Sequence, residues 1–224
     1  HPRIVSRYGS EDFREESGKA LATAYLFQKG TPFIYQGQEI GMTNWYPEDA
    51  EMYEDVQTRW QYANTALNKT PEQRLRRLWR SSRDSARTPV QWSDKKNAGF
   101  TTADKPWFFV NPNYPQVNVA AQEKDPNSLL NFYRKAIKLR KKLSCVRYGK
   151  YKEYNRLSER VYMYSMEDDK QKILVVCSFW KRNVPFAPPN GFDLDAAKAV
   201  LLSCEHPKRW VLSPYEARVY LWEK

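Results

Sequence analysis

A chain of 224 residues has room for one large domain or two modest ones, and its 41% hydrophobic and 15% aromatic content exclude global disorder. No apolar run approaches the ~20 residues of a membrane-crossing helix, so no membrane partner is expected. The net charge of +11 raises nucleic acid as a partner, and Arg74, Arg76, Arg77, Arg80, Arg83 and Arg87 form the densest basic stretch. No helix-turn-helix, zinc-finger or RNA-binding signature accompanies that charge, so the stretch reads as a solvated helix face and no nucleic acid is expected.

Cys145, Cys177 and Cys204 are odd in number and far apart, without a Cys-x-x-Cys, and the histidines are only His1 and His206. That pattern opposes a disulfide framework and a metal centre and favours a reducing, cytoplasmic compartment. No cofactor is expected. The opening His1-Pro2-Arg3 has neither an initiator Met nor a following apolar stretch, which suggests an excerpt without a secretory leader.

In chain order, Asp12 with Glu15 three residues on reads as a capping box, opening a helix to residue 28 or 29. Phe13, Ala20, Leu21 and Ala24 fall on one face, and Gly30 stops the helix. Pro32-Phe33-Ile34-Tyr35 reads as a short strand buried on both faces, as in a parallel sheet. Gly37-Gln38-Glu39-Ile40-Gly41 then begins an excursion of more than eighty residues. It holds a helix over 48–67 and another at Thr70-Pro71-Glu72-Gln73, where Thr70 caps, Pro71 takes the first turn and Gln73 closes the box. Residues 88–118 read as an ordered, irregular loop, a length usually reserved for function. Asp125-Pro126 restarts a helix that buries Leu129, Leu130, Tyr133, Ala136 and Ile137 and ends near Lys142. From 148 onward, runs of β-formers at 148–154, 161–166, 173–179, 199–202, 209–212 and 217–222, separated by turns, predict a small antiparallel β domain bounded near residue 146.

Four stretches carry a resemblance. They are Pro2-Arg3-Ile4-Val5-Ser6-Arg7-Tyr8-Gly9, the run from Gly30 through Gln36-Gly37-Gln38-Glu39-Ile40-Gly41 to Asn44, Ser82-Arg83-Asp84-Ser85-Ala86-Arg87-Thr88-Pro89-Val90-Gln91-Trp92, and Asn97-Ala98-Gly99-Phe100-Thr101-Thr102. In order and spacing they resemble the oligo-1,6-glucosidase branch of the α-amylase superfamily, which includes dextran glucosidases, trehalose-6-phosphate hydrolases and sucrose isomerases. The resemblance implies an α/β plus all-β architecture. Residues 1–146 would be the C-terminal remnant of a (β/α)8 TIM barrel, and 147–224 a small antiparallel β-sandwich domain. Within the remnant, 10–29 would be the seventh helix, 32–36 the eighth strand, 37–125 the loop after it and 126–142 the eighth helix.

The resemblance also implies a retaining exo-α-glucosidase that acts on short, chiefly α-1,6-linked glucosides. Its nucleophile and acid/base carboxylates must stand about 5 Å apart at the ends of barrel strands. Pro2-Arg3 matches the end of a signature whose Asp would lie just before His1, so all three catalytic carboxylates are expected upstream and the chain alone is expected to be inactive. A non-catalytic fragment that contacts carbohydrate or packs against another domain is the alternative. Self-association of such a fragment is foreseen, because an unpaired apolar strand is a template for pairing.

By the same resemblance Arg87 binds the non-reducing glucose. A guanidinium's fixed donors suit vicinal hydroxyls, although a plain ion pair with Asp84 would also explain it. His1 matches a position facing the second sugar, and as a terminus it reads as disordered. Gln57 stands where relatives commonly have Glu, at the border of the second-sugar subsite. Glu39 follows a strand without matching any of the family's three acids, and reads as a tie for backbone donors of its loop. Trp92, Phe100, Trp107, Phe108 and Tyr114 read as a packed loop core rather than a sugar platform.

Overall fold

The computed structural model describes residues Pro2–Lys224. In chain order its helices are α1 (Ile4–Tyr8), α2 (Arg14–Leu26), α3 (Val56–Asn64), α4 (Pro71–Trp79), α5 (Asp84–Arg87), α6 (Val119–Lys124), α7 (Leu129–Lys142) and α8 (Ser144–Tyr148). The strands, all later in the chain, are β1 (Lys150–Tyr154), β2 (Val161–Glu167), β3 (Gln171–Ser178), β4 (Val184–Pro185), β5 (Lys198–Leu202), β6 (Val211–Leu212) and β7 (Ala217–Glu223). These elements gather into two compact units. One is the chain up to Glu11 with Tyr35–Asp125, and the other is Asp12–Ile34 with Pro126–Lys224.

The second unit is built on a five-stranded antiparallel sheet in the order β1-β2-β3-β7-β5. Central β3 is buried along most of its length because its run Ile173-Leu174-Val175-Val176-Cys177 is apolar on both faces. Ile173, Val175 and Cys177 share a core with Ala20, Leu26, Leu129, Phe132 and Tyr133 of α2 and α7. Leu174 and Val176 face the other way, into a core with Val184, Phe186, Phe192 and Leu212, which the small β4–β6 pair helps to cover. The strands predicted from residue 148 onward are present, with ends shifted by one to two residues. Val184–Pro185 is an addition that two residues of pattern could not announce. The packed unit therefore takes in helices from before residue 146 as well as the strands after it.

Two local expectations for α2 need correction. Its N-cap is Phe13, with no side-chain cap, so Asp12 and Glu15 form no capping box. Its buried face is Ser17, Gly18, Ala20, Ala22, Thr23 and Leu26, whereas Leu21 and Ala24 are only half-buried. Small residues won that face because α7 lies close: a Cβ on Gly18 would meet Leu129 Cδ2 at 2.7 Å. Helix α7 starts at its true cap, Ser128, whose hydroxyl accepts from Asn131 N at 3.2 Å, three residues after Asp125. Its basic last turn suits the helix dipole, and Arg140 Nη1 donates to Gln28 O at 2.8 Å, holding the end of α2.

Residues 32–36 are not a strand in the structure: they pair with no other segment, and Phe33 is 88% exposed. Strand geometry needs a neighbouring strand for its backbone groups, and among the described residues no strand lies beside this segment.

The first unit has no strand among its described residues and is held by short helices, turns and polar contacts. The capping box at Thr70 is present as expected, with Thr70 Oγ1 accepting from Gln73 N at 3.2 Å and Gln73 Oε1 from Thr70 N at 3.3 Å. The single helix expected over 48–67 is instead a 3-10 turn, Ala50–Met52, and the separate α3. The break falls at Tyr53–Asp55 because the backbone N–H groups of Glu54 and Asp55 both donate to Asp84. The expected aromatic loop core is also corrected. Phe108 is buried, edge-on to Trp45, but Trp92, Phe100 and Trp107 are exposed, and the core is Trp45, Ala50, Tyr53, Leu75 and Leu78.

Candidate functional site

Three of the four resembling stretches meet in this first unit at one buried side chain, Arg3, which is 3% exposed. Its backbone N–H donates to Asn44 Oδ1 at 2.7 Å. Its guanidinium donates to Ser85 O at 2.9 Å, Gln36 O at 2.6 Å, and Thr88 O and Oγ1 at 3.2 and 3.1 Å. Burial brings its pKa down to about 10, with Tyr35 and Glu39 opposing the shift, so it stays charged at neutral pH. Gly37 sits at φ +85°, and a Cβ there would collide with Met42 and come within 3.2 Å of Arg3 Nη1. Glycine is what lets this backbone pass so close. The fourth stretch joins the third through Ala98 O, which accepts from Trp92 N at 2.9 Å and Ser93 N at 3.0 Å.

Arg3 thereby fixes the segment that carries Arg87, at the end of α5. Asp84, fully buried, accepts Glu54 N at 2.8 Å and Asp55 N at 3.0 Å on one oxygen, and Arg87 Nη1 at 3.0 Å on the other. Asp55 is the N-cap of α3. It accepts Thr58 N at 3.0 Å and Thr58 Oγ1 at 2.7 Å on Oδ2, and Arg83 Nε at 3.1 Å on Oδ1, which lies 3.6 Å from Arg87 Nη1. The ion pair of Arg87 with Asp84 is therefore real. The Arg87 side chain nonetheless keeps 42% exposure, and its Nε and Nη2 have no protein acceptor among the described residues.

Two carboxylates around one arginine invite an acid/base reading, and the geometry rejects it. All four oxygens are occupied by donors. Burial alone would raise the Asp55 pKa, but hydrogen bonds from Arg83 and Thr58 outweigh it and hold the carboxyl below its ordinary range. A group so held cannot deliver a proton near neutrality. The sign of the linkage is that of a depressed carboxyl. Its stabilisation is present above the unfolded value of about 3.9 and is lost as pH falls through the folded one. We therefore expect the Thr58 amide to lose hydrogen-exchange protection in an acid step below about pH 4, and expect Asp55→Asn to abolish that step. An unchanged step in the variant would exclude Asp55 as its source.

Gln57, on the first turn of α3, is exposed, and Asp55 fixes the start of its helix. The structure thus connects Arg87 and Gln57 through Asp84 and Asp55. His1 lies outside the described residues. Glu39 is not the tie expected of it, since its Oε2 is buried without a hydrogen-bond partner. Sequence reasoning missed Asp55 and the hub role of Arg3. The Asp55-x-x-Thr58 spacing was an available cap signal, hidden by reading 48–67 as one helix. Among the described residues no group of three or more His, Cys, Asp or Glu side chains could hold a metal ion, and no helix is long and apolar enough to cross a membrane.

The α-amylase catalytic-domain profile matches residues 1–149. A probable oligo-1,6-glucosidase 2 of Bacillus subtilis is 40% identical over 229 residues, spanning 100% of this chain and 41% of that protein. An oligo-1,6-glucosidase of Halalkalibacterium halodurans is also 40% identical, over 98% of this chain and 40% of its own length. The crystal structure of Bacillus licheniformis trehalose-6-phosphate hydrolase superposes on the whole chain with a TM-score of 0.93 at 35% identity, 42% of that protein being covered. The chain thus spans about two fifths of the length of these relatives. It belongs to the α-amylase family.

Proposed function

We propose that this chain supplies the C-terminal part of a retaining exo-α-glucosidase that hydrolyses short α-linked, chiefly α-1,6-linked, glucosides. Residues 1–146 would complete a (β/α)8 barrel, with 32–36 as its eighth strand, and 147–224 would form the β-sandwich domain behind it. The exposure of Phe33 accords with this reading, because a barrel strand becomes buried only between parallel neighbours. Arg87 would hold the non-reducing glucose and Gln57 would border the second sugar, with His1 facing that sugar from the chain's first position.

One observation carries the assignment of Arg87. Its guanidinium is anchored on one nitrogen by a fully buried carboxylate while Nε and Nη2 stay without protein acceptors. A donor edge fixed in this way needs little reordering when a sugar hydroxyl arrives. Hydrolysis with retention needs a nucleophile and an acid/base about 5 Å apart across the glycosidic bond. Asp55 and Asp84 are committed to their donors, so those acids belong to the part of the enzyme that the relatives have in addition.

The test is release of nitrophenol from a nitrophenyl α-glucoside. The 224-residue chain alone should release none, and the same chain joined to the upstream portion of an oligo-1,6-glucosidase should release it. Turnover that co-purifies with the chain alone and disappears on mutating one of its own acids would overturn this division of labour. An inactive chimera that is folded would favour the alternative of a non-catalytic, carbohydrate-contacting or domain-packing chain.

A further inference from the structure

Beyond the surroundings of Arg87, a second cleft opens between α3 and α4 with a volume of about 180 Å³. Trp60 stands at it with 59% of its surface exposed, and Gln61, Thr65, Arg74, Arg77 and Ser81 supply polar groups around it. Arg74 is immobilised there, with Nη1 donating to Tyr62 O at 2.8 Å and the guanidinium lying over the Tyr62 ring at 4.5 Å. Its Nε is nevertheless buried and has no acceptor. A buried donor left open in a cleft calls for a ligand or water oxygen. The Thr65 hydroxyl donates to Gln61 O at 2.6 Å and that of Ser81 to Arg77 O at 3.1 Å, so both oxygens keep lone pairs to accept with. Arg77 has no carboxylate partner among the described residues.

We infer that this cleft is an accessory carbohydrate site that takes one hexose unit of an α-linked oligosaccharide, stacked on Trp60. A pyranose has an apolar C–H face and a rim of hydroxyls that both donate and accept, which matches an indole plate beside mixed donors and acceptors. Two arginines alone would suit an anion. The C-terminal end of α3 also borders the cleft, however, and the partial negative charge of the helix dipole there disfavours one. Hydroxyls satisfy both kinds of neighbour at once. The link to the site already described is α3 itself. Gln57 and Trp60 are three residues apart on exposed positions, so they neighbour one another along its surface at a rise of ~4.5 Å. The choice of an α-linked glucan as ligand rests on the proposed function, whereas the site itself rests on the cleft.

The experiment is a titration of the 224-residue chain with isomaltotriose, followed by NMR shifts of the indole N–H groups, with inorganic phosphate as a parallel titrant. The Trp60 signal, assigned through its loss in Trp60→Ala, should shift saturably in the millimolar range. Trp60→Ala should weaken binding, read on the Arg side-chain signals, at least tenfold. Arg77→Gln should weaken it several-fold, and Trp107→Ala, which removes a still more exposed indole elsewhere, should leave it unchanged. Absence of a saturable shift, equal affinity in Trp60→Ala, or binding of phosphate in preference to sugar would each overturn the inference. None of these outcomes depends on hydrolysis, so a chimera that cleaves nitrophenyl glucoside while this cleft fails to bind sugar would separate the two readings.

Discussion

In an enzyme restored with upstream barrel residues, Arg87→Ala is expected to lower kcat/KM by about two to four orders of magnitude, or about 3–5 kcal/mol of transition-state stabilisation. The size follows from what the truncation leaves behind. Asp84 Oδ1, fully buried, would lose its charged donor, and a sugar hydroxyl in a closed site would lose its partner. Arg87→Lys should recover only part of the loss, because an ammonium is a point charge that cannot face a buried carboxylate and vicinal hydroxyls in one plane. The control is stability. Arg87 is 42% exposed but Asp84 is fully buried, so the substitution should also cost about 1–3 kcal/mol of folding free energy, and the kinetics are to be read on protein verified as folded. A kinetic loss below tenfold with the fold intact would make Arg87 a strut for its loop and nothing more.

The legibility of this protein in its sequence depended on whether an element could be decided locally. The box at Thr70-Pro71-Glu72-Gln73 is satisfied within four residues, and it is present as read. Central β3 is equally legible, since a run of five apolar residues has only one place to go in a small sheet. The failures lie where a partner distant in sequence decides. Asp84 takes the N–H groups of Glu54 and Asp55 and so breaks the helix that periodicity suggested over 48–67. Gly18 and its small neighbours, not Leu21, face α7 because closeness of approach outweighs side-chain size on that face. The segment 32–36 has a strand's composition, yet composition cannot supply the neighbour that pairing requires. For the candidate site the motif singled out Arg87 as a candidate, but the contacts of Asp55 and Arg3 needed coordinates. Their partners lie up to 85 residues away.

The largest effect on folding should come from Arg218→Met, in β7. Arg218 and Glu216 are each 1% exposed and joined by a 2.7 Å bond from Nε to Oε1. The guanidinium also donates to Lys208 O and Val211 O at 2.7 Å each, and to Arg209 O and Tyr220 Oη at 3.3 Å. Burial would lower its pKa, but the bonds to Glu216 and Tyr220 outweigh that and leave it raised, so the charge is held firmly. This one side chain ties the turn before β6 to the sheet, and β6 pairs with β4 over the second apolar core. Methionine fills a similar volume and can repack against Phe186, so the lost packing is small. What remains is a buried carboxylate without its cation, together with carbonyls without donors, which should cost about 3–5 kcal/mol. That is a large share of the ~5–15 kcal/mol by which domains are stable. Urea unfolding followed by near-ultraviolet circular dichroism should show the midpoint falling by about a fifth or more. Adding Glu216→Gln should restore part of the loss, because the amide removes the stranded charge and still accepts from Ser213 N. A single-variant loss under about 1 kcal/mol would mean that water reaches the pair in solution and that it behaves as a surface ion pair.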